Sequence, residues 1–170
     1  MIKNNVLIGA DNWLFLYNGG QKQFDYLLGK EKVDDEAVLN FVSNIAGRVK
    51  YFQKNNIEYR HVVFPSKPLV KNKFLPEEFK NISSLFETYY KKYLSDAKPY
   101  VLYPLENLKK CETKFSTFHK YNTHNSDLGY IEIIKNLLQS LHLDCDFEQY
   151  FENIVTLEVG GGFNNHARFY

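Results

Sequence analysis

The chain has 170 residues, a length that suits one domain, and 44% hydrophobic content, enough to bury a sizeable core. Twenty-one basic residues against twenty acidic ones leave a net charge of +1. With the basic residues spread out, no tighter than Lys91-Lys92 and Lys109-Lys110, this argues against a basic face and against a nucleic-acid partner.

Taken in chain order, residues 6–17, VLIGADNWLFLY, are rich in β-formers around Gly9-Ala10-Asp11-Asn12. They predict a short N-terminal hairpin, or two short strands joined by that turn. A loop with Gly19-Gly20 follows. Asp34-Asp35 then open a helical pattern, with Val38, Phe41, Val42, Ile45, Val49 and Phe52 at steps of three and four. Asn55-Asn56 end it. IEYRHVVF, 57–64, is a strand that closes in an apolar run, as a buried parallel strand does, and Pro65 stops it. PSKPLVKNKFLP is a loop framed by prolines. A second helix is expected over 81–95, with Ile82, Leu85, Phe86, Tyr89, Tyr90 and Tyr93 facing inward.

YVLYP, 100–104, is another short strand, and LENLKKC forms one or two helical turns. Ser126 is a good N-cap for the next helix, and Asp127 sits in its first turn. Leu128, Ile131, Ile134, Leu137, Leu138 and Leu141 make its apolar face. NIVTLEV, 153–159, is the last strand candidate, before the break at Gly160-Gly161-Gly162. Strands alternating with helices favour an α/β domain with a mainly parallel sheet covered on both faces. Sites in such sheets gather in loops at the C-terminal ends of strands. PSKPLV and the loop around His124 both follow strands, so both are expected on one rim.

Several chemistries are not favoured. Cys111 and Cys145 form neither a C-x-x-C pair nor zinc spacing, and two free, mostly buried thiols are the expectation, with a disulfide left open. His119 and His124 are five apart with no third ligand, so no metal is implied. Gly160–Gly162 lacks the following Lys-Ser/Thr of a phosphate loop, and no cofactor is implied. No stretch approaches the roughly 18 apolar residues of a membrane span. The N-terminus carries no export pattern, which places the chain in the cytoplasm as an expectation.

Three blocks carry a family resemblance. LIGADNWLFL (7–16), FPSKPLVKNKFLP (64–76) and YNTHNSDLGY (121–130) resemble, in order and spacing, the alginate O-acetyltransferase group of SGNH-hydrolase-like proteins. These proteins make or modify bacterial surface polysaccharides. The resemblance implies a three-layer SGNH-like α/β fold over 1–170 as a single domain, incomplete relative to the family. It implies a triad in which His and Asp of the third block serve a Ser further along. His124 matches the His. Asn122 stands where the Asp belongs, Asn125 replaces a Trp, and Lys71 and Asn72 replace Tyr-Pro. The Gly-Asp-Ser block is absent.

The chemistry explains why the family needs those residues. A serine hydroxyl is a poor nucleophile until a base takes its proton. Histidine does so near neutral pH, and a carboxylate fixes its tautomer and stabilises the imidazolium. Asn122 can accept a hydrogen bond from the ring but supplies no charge. The candidate catalytic residues are therefore His124, as base, and Asn122, as its orienter. The bland readings are a surface histidine at a helix start and an Asx-turn asparagine. Lys67 is a candidate contact for an acyl donor or oxyanion, or else a solvated loop lysine. Trp13 is a candidate sugar platform, or else a core anchor. Ser66, Ser116 and Ser126 sit in no nucleophile-elbow pattern.

The resemblance thus implies an O-acetyltransferase or acetylesterase that moves or removes an acetyl group on a sugar hydroxyl. Its partners would be a polysaccharide or sugar acceptor, an acetyl donor and a partner chain supplying the Ser. The family also offers the periplasm as an alternative location. The alternative function is a non-catalytic relative that binds or scaffolds in polysaccharide assembly. A third reading is an unrelated α/β domain with a small ligand at the same strand ends.

Overall fold

A computed structural model describes residues 1–143 of the protein. The chain opens with three antiparallel strands, β1 (Ile2–Lys3), β2 (Val6–Ile8) and β3 (Leu14–Leu16), in the order β1-β2-β3. The expected hairpin is β2–β3, paired Val6 to Leu16 and Ile8 to Leu14. Its connection needs left-handed backbone at Asp11 and Asn12 (φ 52° and 58°), which short polar side chains tolerate. The sequence reading missed β1. Its two-residue turn is Asn4-Asn5, both at positive φ, the geometry that matches strand twist in a tight hairpin.

Asn18 starts the next element. Its Oδ1 accepts the backbone N–H of Phe24 (3.0 Å) and Asp25 (3.2 Å), fixing the short helix α1 (Gln23–Leu27). The long helix α2 (Asp35–Lys54) matches its apolar period. Asp34 caps it by accepting from Glu36 N (2.9 Å), and Val38, Ile45 and Val49 are buried. Left-handed Asn56 lies just past its end.

A parallel pair follows, β4 (His61–Val62) with β5 (Val101–Leu102). The strand expected over 57–64 is shorter in its pairing, which Val63 N extends by one bond to Leu102 O (2.9 Å). Pro65 and Pro104 close off the two strands on the same side, since neither offers an N–H. The PSKPLV loop holds one helical turn, α3 (Lys67–Val70), with Pro68 in its first turn. Over 81–95 the helical stretch begins only after Ser84, whose Oγ accepts from Glu87 N (3.3 Å). It then runs as a wide turn over Phe86–Tyr90 and a tight one over Lys91–Tyr93. Phe86 is buried, whereas Tyr93, expected inside, is exposed.

Helices α4 (Leu105–Cys111) and α5 (Asp127–Ser140) complete the described fold. Ser126 caps α5 as expected, accepting from Gly129 N (3.1 Å). The buried face is turned from the expected one. Leu128, Gly129 and Ile133 are buried, and Ile134 is exposed. The strand expected at 153–159, the glycine run and Cys145 lie outside the described residues.

The observed fold is thus mixed α/β, with a three-stranded antiparallel sheet and a two-stranded parallel one. Among the described residues the antiparallel sheet is the expected N-terminal hairpin extended by β1, and the parallel pairing is confined to β4 and β5. Two apolar clusters hold it together. One joins the hairpin (Leu7, Trp13, Phe15) to Phe24, Val70, Leu108, Phe118 and Ile133. The other packs α2 through Ile45 and Val49 on Phe86, Leu94 and Ala97, and Tyr103 touches both. No described helix is long and apolar enough to cross a membrane.

Close packing at α5 generates a prediction. A Cβ at Gly129 would stand 2.1 Å from the Thr117 carbonyl oxygen. Gly129→Ala is expected to lower stability by about 1–3 kcal/mol in urea unfolding, because backbone must move on one side.

Candidate functional site

The loop between α4 and α5 carries His124, and its ends are tied. Phe118 and Asn125 form an isolated antiparallel bridge, and Ser126 N donates to Thr117 O (3.0 Å). Buried Asn125 adds a bond from Nδ2 to the same carbonyl (3.2 Å). The middle of the loop lies along the hairpin, where Leu14 N donates to Lys120 O (3.1 Å). Residues 118–126 are therefore a closed, pinned loop that presents Asn122-Thr123-His124 outward.

Within it, one atom sets the chemistry of the histidine. Asn122 Oδ1 accepts the backbone N–H of His124 (3.2 Å) and lies 2.7 Å from its ring Nδ1. The backbone donor identifies the amide atom as oxygen, because an NH2 group would meet N–H with N–H. An acceptor at Nδ1 then requires Nδ1–H in the neutral ring. The lone pair is left on Nε2, the arrangement a general base needs. The two readings of Asn122, turn residue and orienter, are one geometry here.

Lys67 is neither solvated nor free to meet a ligand through its ammonium. Its side chain is buried, with the residue 3% exposed, and Nζ donates to the carbonyls of Leu14 (2.6 Å), Asn122 (2.9 Å) and Lys120 (3.0 Å). Three N–H donors meet three acceptors. The solvated-loop reading is corrected: this lysine ties α3 to β3 and to the His124 loop. Burial and the nearby charge of Lys71 push its pKa down to about 8. Lys71, 1% exposed, pairs with Glu112 and donates to Ser116 Oγ (2.7 Å). Burial lowers its pKa in spite of Glu112.

Trp13 lies between these groups. It is buried and stacks on Phe74 at 4.7 Å, with Lys71 Nζ 4.3 Å and Lys67 Nζ 5.0 Å from its ring centre. Contact with two ammonium groups suits its electron-rich face. This is the core-anchor geometry, with no face open for a sugar to stack on.

His124 borders a cleft of about 350 Å³, in the size range of small-ligand sites. Phe64, Pro65 and Ser66 line it from the end of β4, Gln21 and Gln23 from the start of α1, and Tyr130 from α5. The loops after β4 and before α5 therefore share one cleft, as chain order suggested. Trp13 and Asn122 are not among the lining residues; Asn122 acts on the cleft through His124.

Two features of this cleft were not assigned from sequence. Phe64, expected in a buried strand end, is 54% exposed and meets Tyr130 edge-on at 6.3 Å, so aromatic side chains form the rim. An unbroken apolar run gives no period from which to choose the exposed residue. The other feature is Ser66. Its Oγ is buried and has no hydrogen-bond partner among the described residues. Its position directly after a predicted strand was the available signal. No family model matches the chain, and neither a curated protein nor a solved structure does.

Lys67 supplies a stability prediction. Its folded pKa, about 8, lies below the ordinary 10.5. Between these values the unfolded chain holds more protons at this site, so its contribution to stability rises with pH across that window. Lys67→Met is expected to lose about 1–3 kcal/mol near pH 7, because three carbonyls that tie β3 to the His124 loop lose their shared donor. The variant is also expected to lack the wild-type gain above about pH 8. Urea midpoints of both proteins against pH check both outcomes.

Proposed function

We propose that the protein is a relative of the SGNH-hydrolase-like O-acetyltransferases, with their three-layer α/β arrangement, and that the His124 cleft is its acyl-transfer site. The observation that carries this is the 2.7 Å pairing of His124 Nδ1 with Asn122 Oδ1 beside the cleft. It keeps the basic nitrogen of the imidazole on the side away from its orienter. The parallel β4–β5 pair and a hairpin ahead of it are compatible with that fold family. In this reading His124 takes a proton from the attacking hydroxyl and returns it to the leaving group. Asn122 orients the ring, and Lys67 holds the backbone on which both sit. The acetyl group comes from an ester or thioester donor. The acceptor is a sugar hydroxyl of a bacterial surface polysaccharide.

A second reading is favoured by a specific observation. Among the described residues no carboxylate lines the cleft, and Asn122 occupies the orienting position. An imidazolium formed there gains no opposite charge. A relative that binds polysaccharide without turnover fits a site with no acidic group among its described lining residues.

The two readings separate on a chromogenic ester. The catalytic reading expects slow hydrolysis of p-nitrophenyl acetate, its loss in His124→Ala, and a gain in Asn122→Asp. The serine-protease precedent bounds that gain at about 10⁴-fold. Three rates equal to the buffer blank would support the binding role instead.

A further inference from the structure

We propose that Ser66 is the nucleophile that His124 serves. This rests on the acyl-transfer reading and supplies the group it lacks. Ser66 is the serine among the residues that line the cleft with His124. It lies four residues past Val62, the last residue of β4, on the loop that follows that strand. The other two serines near the loop are committed elsewhere. Ser116 Oγ accepts from Lys71 and donates to Phe118 O (2.8 Å). Ser126 Oγ donates to Ser116 O (2.6 Å) and caps α5. The Cys111 thiol is no competitor, because burial and Glu132 push its pKa up to about 11 and it does not line the cleft.

The Ser66 hydroxyl differs from these in having no partner among the described residues. Buried hydroxyls in folded proteins are nearly always satisfied, and the exceptions call for a role. Ser66 precedes α3 in the N-cap position yet makes no capping bond. A turn about its χ1 therefore breaks no hydrogen bond, and the mechanism requires that turn, because Oγ is now shielded from solvent. His124 Nε2 then accepts the hydroxyl proton while Oγ bonds to the acetyl carbon of an ester or thioester. The bond from that carbon to the donor's oxygen or sulfur breaks, and the leaving atom takes the proton from the imidazolium. In the return step a sugar hydroxyl gives its proton to Nε2 and its oxygen bonds to the acetyl carbon. The Oγ–carbon bond breaks and Oγ recovers the proton. Water in place of the sugar yields acetate.

The test is a fluorophosphonate probe on the full chain, with the adduct located by peptide mass spectrometry and p-nitrophenyl acetate turnover read in parallel. Parent, Ser66→Ala and His124→Ala proteins are compared. Ser66→Ala removes a hydroxyl that bonds to nothing, so urea unfolding should show it folded. The proposal expects the adduct on Ser66, no turnover in Ser66→Ala, and labelling at least about 100-fold slower in His124→Ala. Turnover that survives Ser66→Ala, with no adduct on Ser66, overturns the nucleophile and leaves the acyl-transfer reading standing. Neither turnover nor adduct overturns both. An adduct on Ser66 formed equally fast in His124→Ala overturns the pairing with His124.

Discussion

A buried ammonium holds the described fold and its cleft together. Lys67 Nζ reaches carbonyls from two separate parts of the chain, β3 and the 118–126 loop. The Leu14 and Asn122 carbonyls take its N–H groups, and the Lys120 carbonyl accepts from it and from Leu14 N together. The charge itself is costly to bury, and three good acceptors with the Trp13 and Phe15 rings nearby offset that cost. The arrangement fixes the backbone of Asn122, and the Asn122 side chain fixes the ring of His124. Orientation thus passes from a core lysine to a surface imidazole in two hydrogen-bonded steps.

The second buried lysine extends the same logic. Lys71 pairs with Glu112, whose other oxygen accepts from Thr117 N (2.8 Å). Thr117 O in turn receives Ser126 N and Asn125 Nδ2. The start of α5, the base of the His124 loop and the end of α4 are therefore joined through one carboxylate. Both lysines lie over Trp13, which explains a buried indole close to a candidate site without asking it to touch ligand. The cleft beside them has no carboxylate among its described lining residues, and amide, hydroxyl, imidazole and aromatic groups share its walls with Lys67.

Much of the local architecture was legible in the chain. The α2 period, the Asp34 and Ser126 caps, the Asp11-Asn12 turn and the paired short strands all follow from nearest-neighbour chemistry. The misses share a cause. The helical stretch near residue 85 started late because Ser84 offered its hydroxyl to the backbone. The buried face of α5 turned toward Ile133 because Gly129 lets the helix lie against Thr117. Phe64 was exposed because the cleft opens beside it. In each case a contact distant in sequence, or a competing local bond, outweighed the period.

The sequence by itself determined the long helices with their caps and the segments of β2 to β5, and that His124 follows Asn122 at the spacing of an oriented imidazole. Such features depend on residues within a few positions of each other, where propensity and capping act. Only the tertiary structure decided what the flagged side chains do. It buried Lys67 among three carbonyls, packed Trp13 against two lysines and Phe74, and left the Ser66 hydroxyl, in the cleft that His124 borders, without a partner among the described residues. These outcomes turn on groups far apart in the chain, such as Lys67 and Asn122, 55 residues apart, and no local pattern records which acceptor a long side chain will meet.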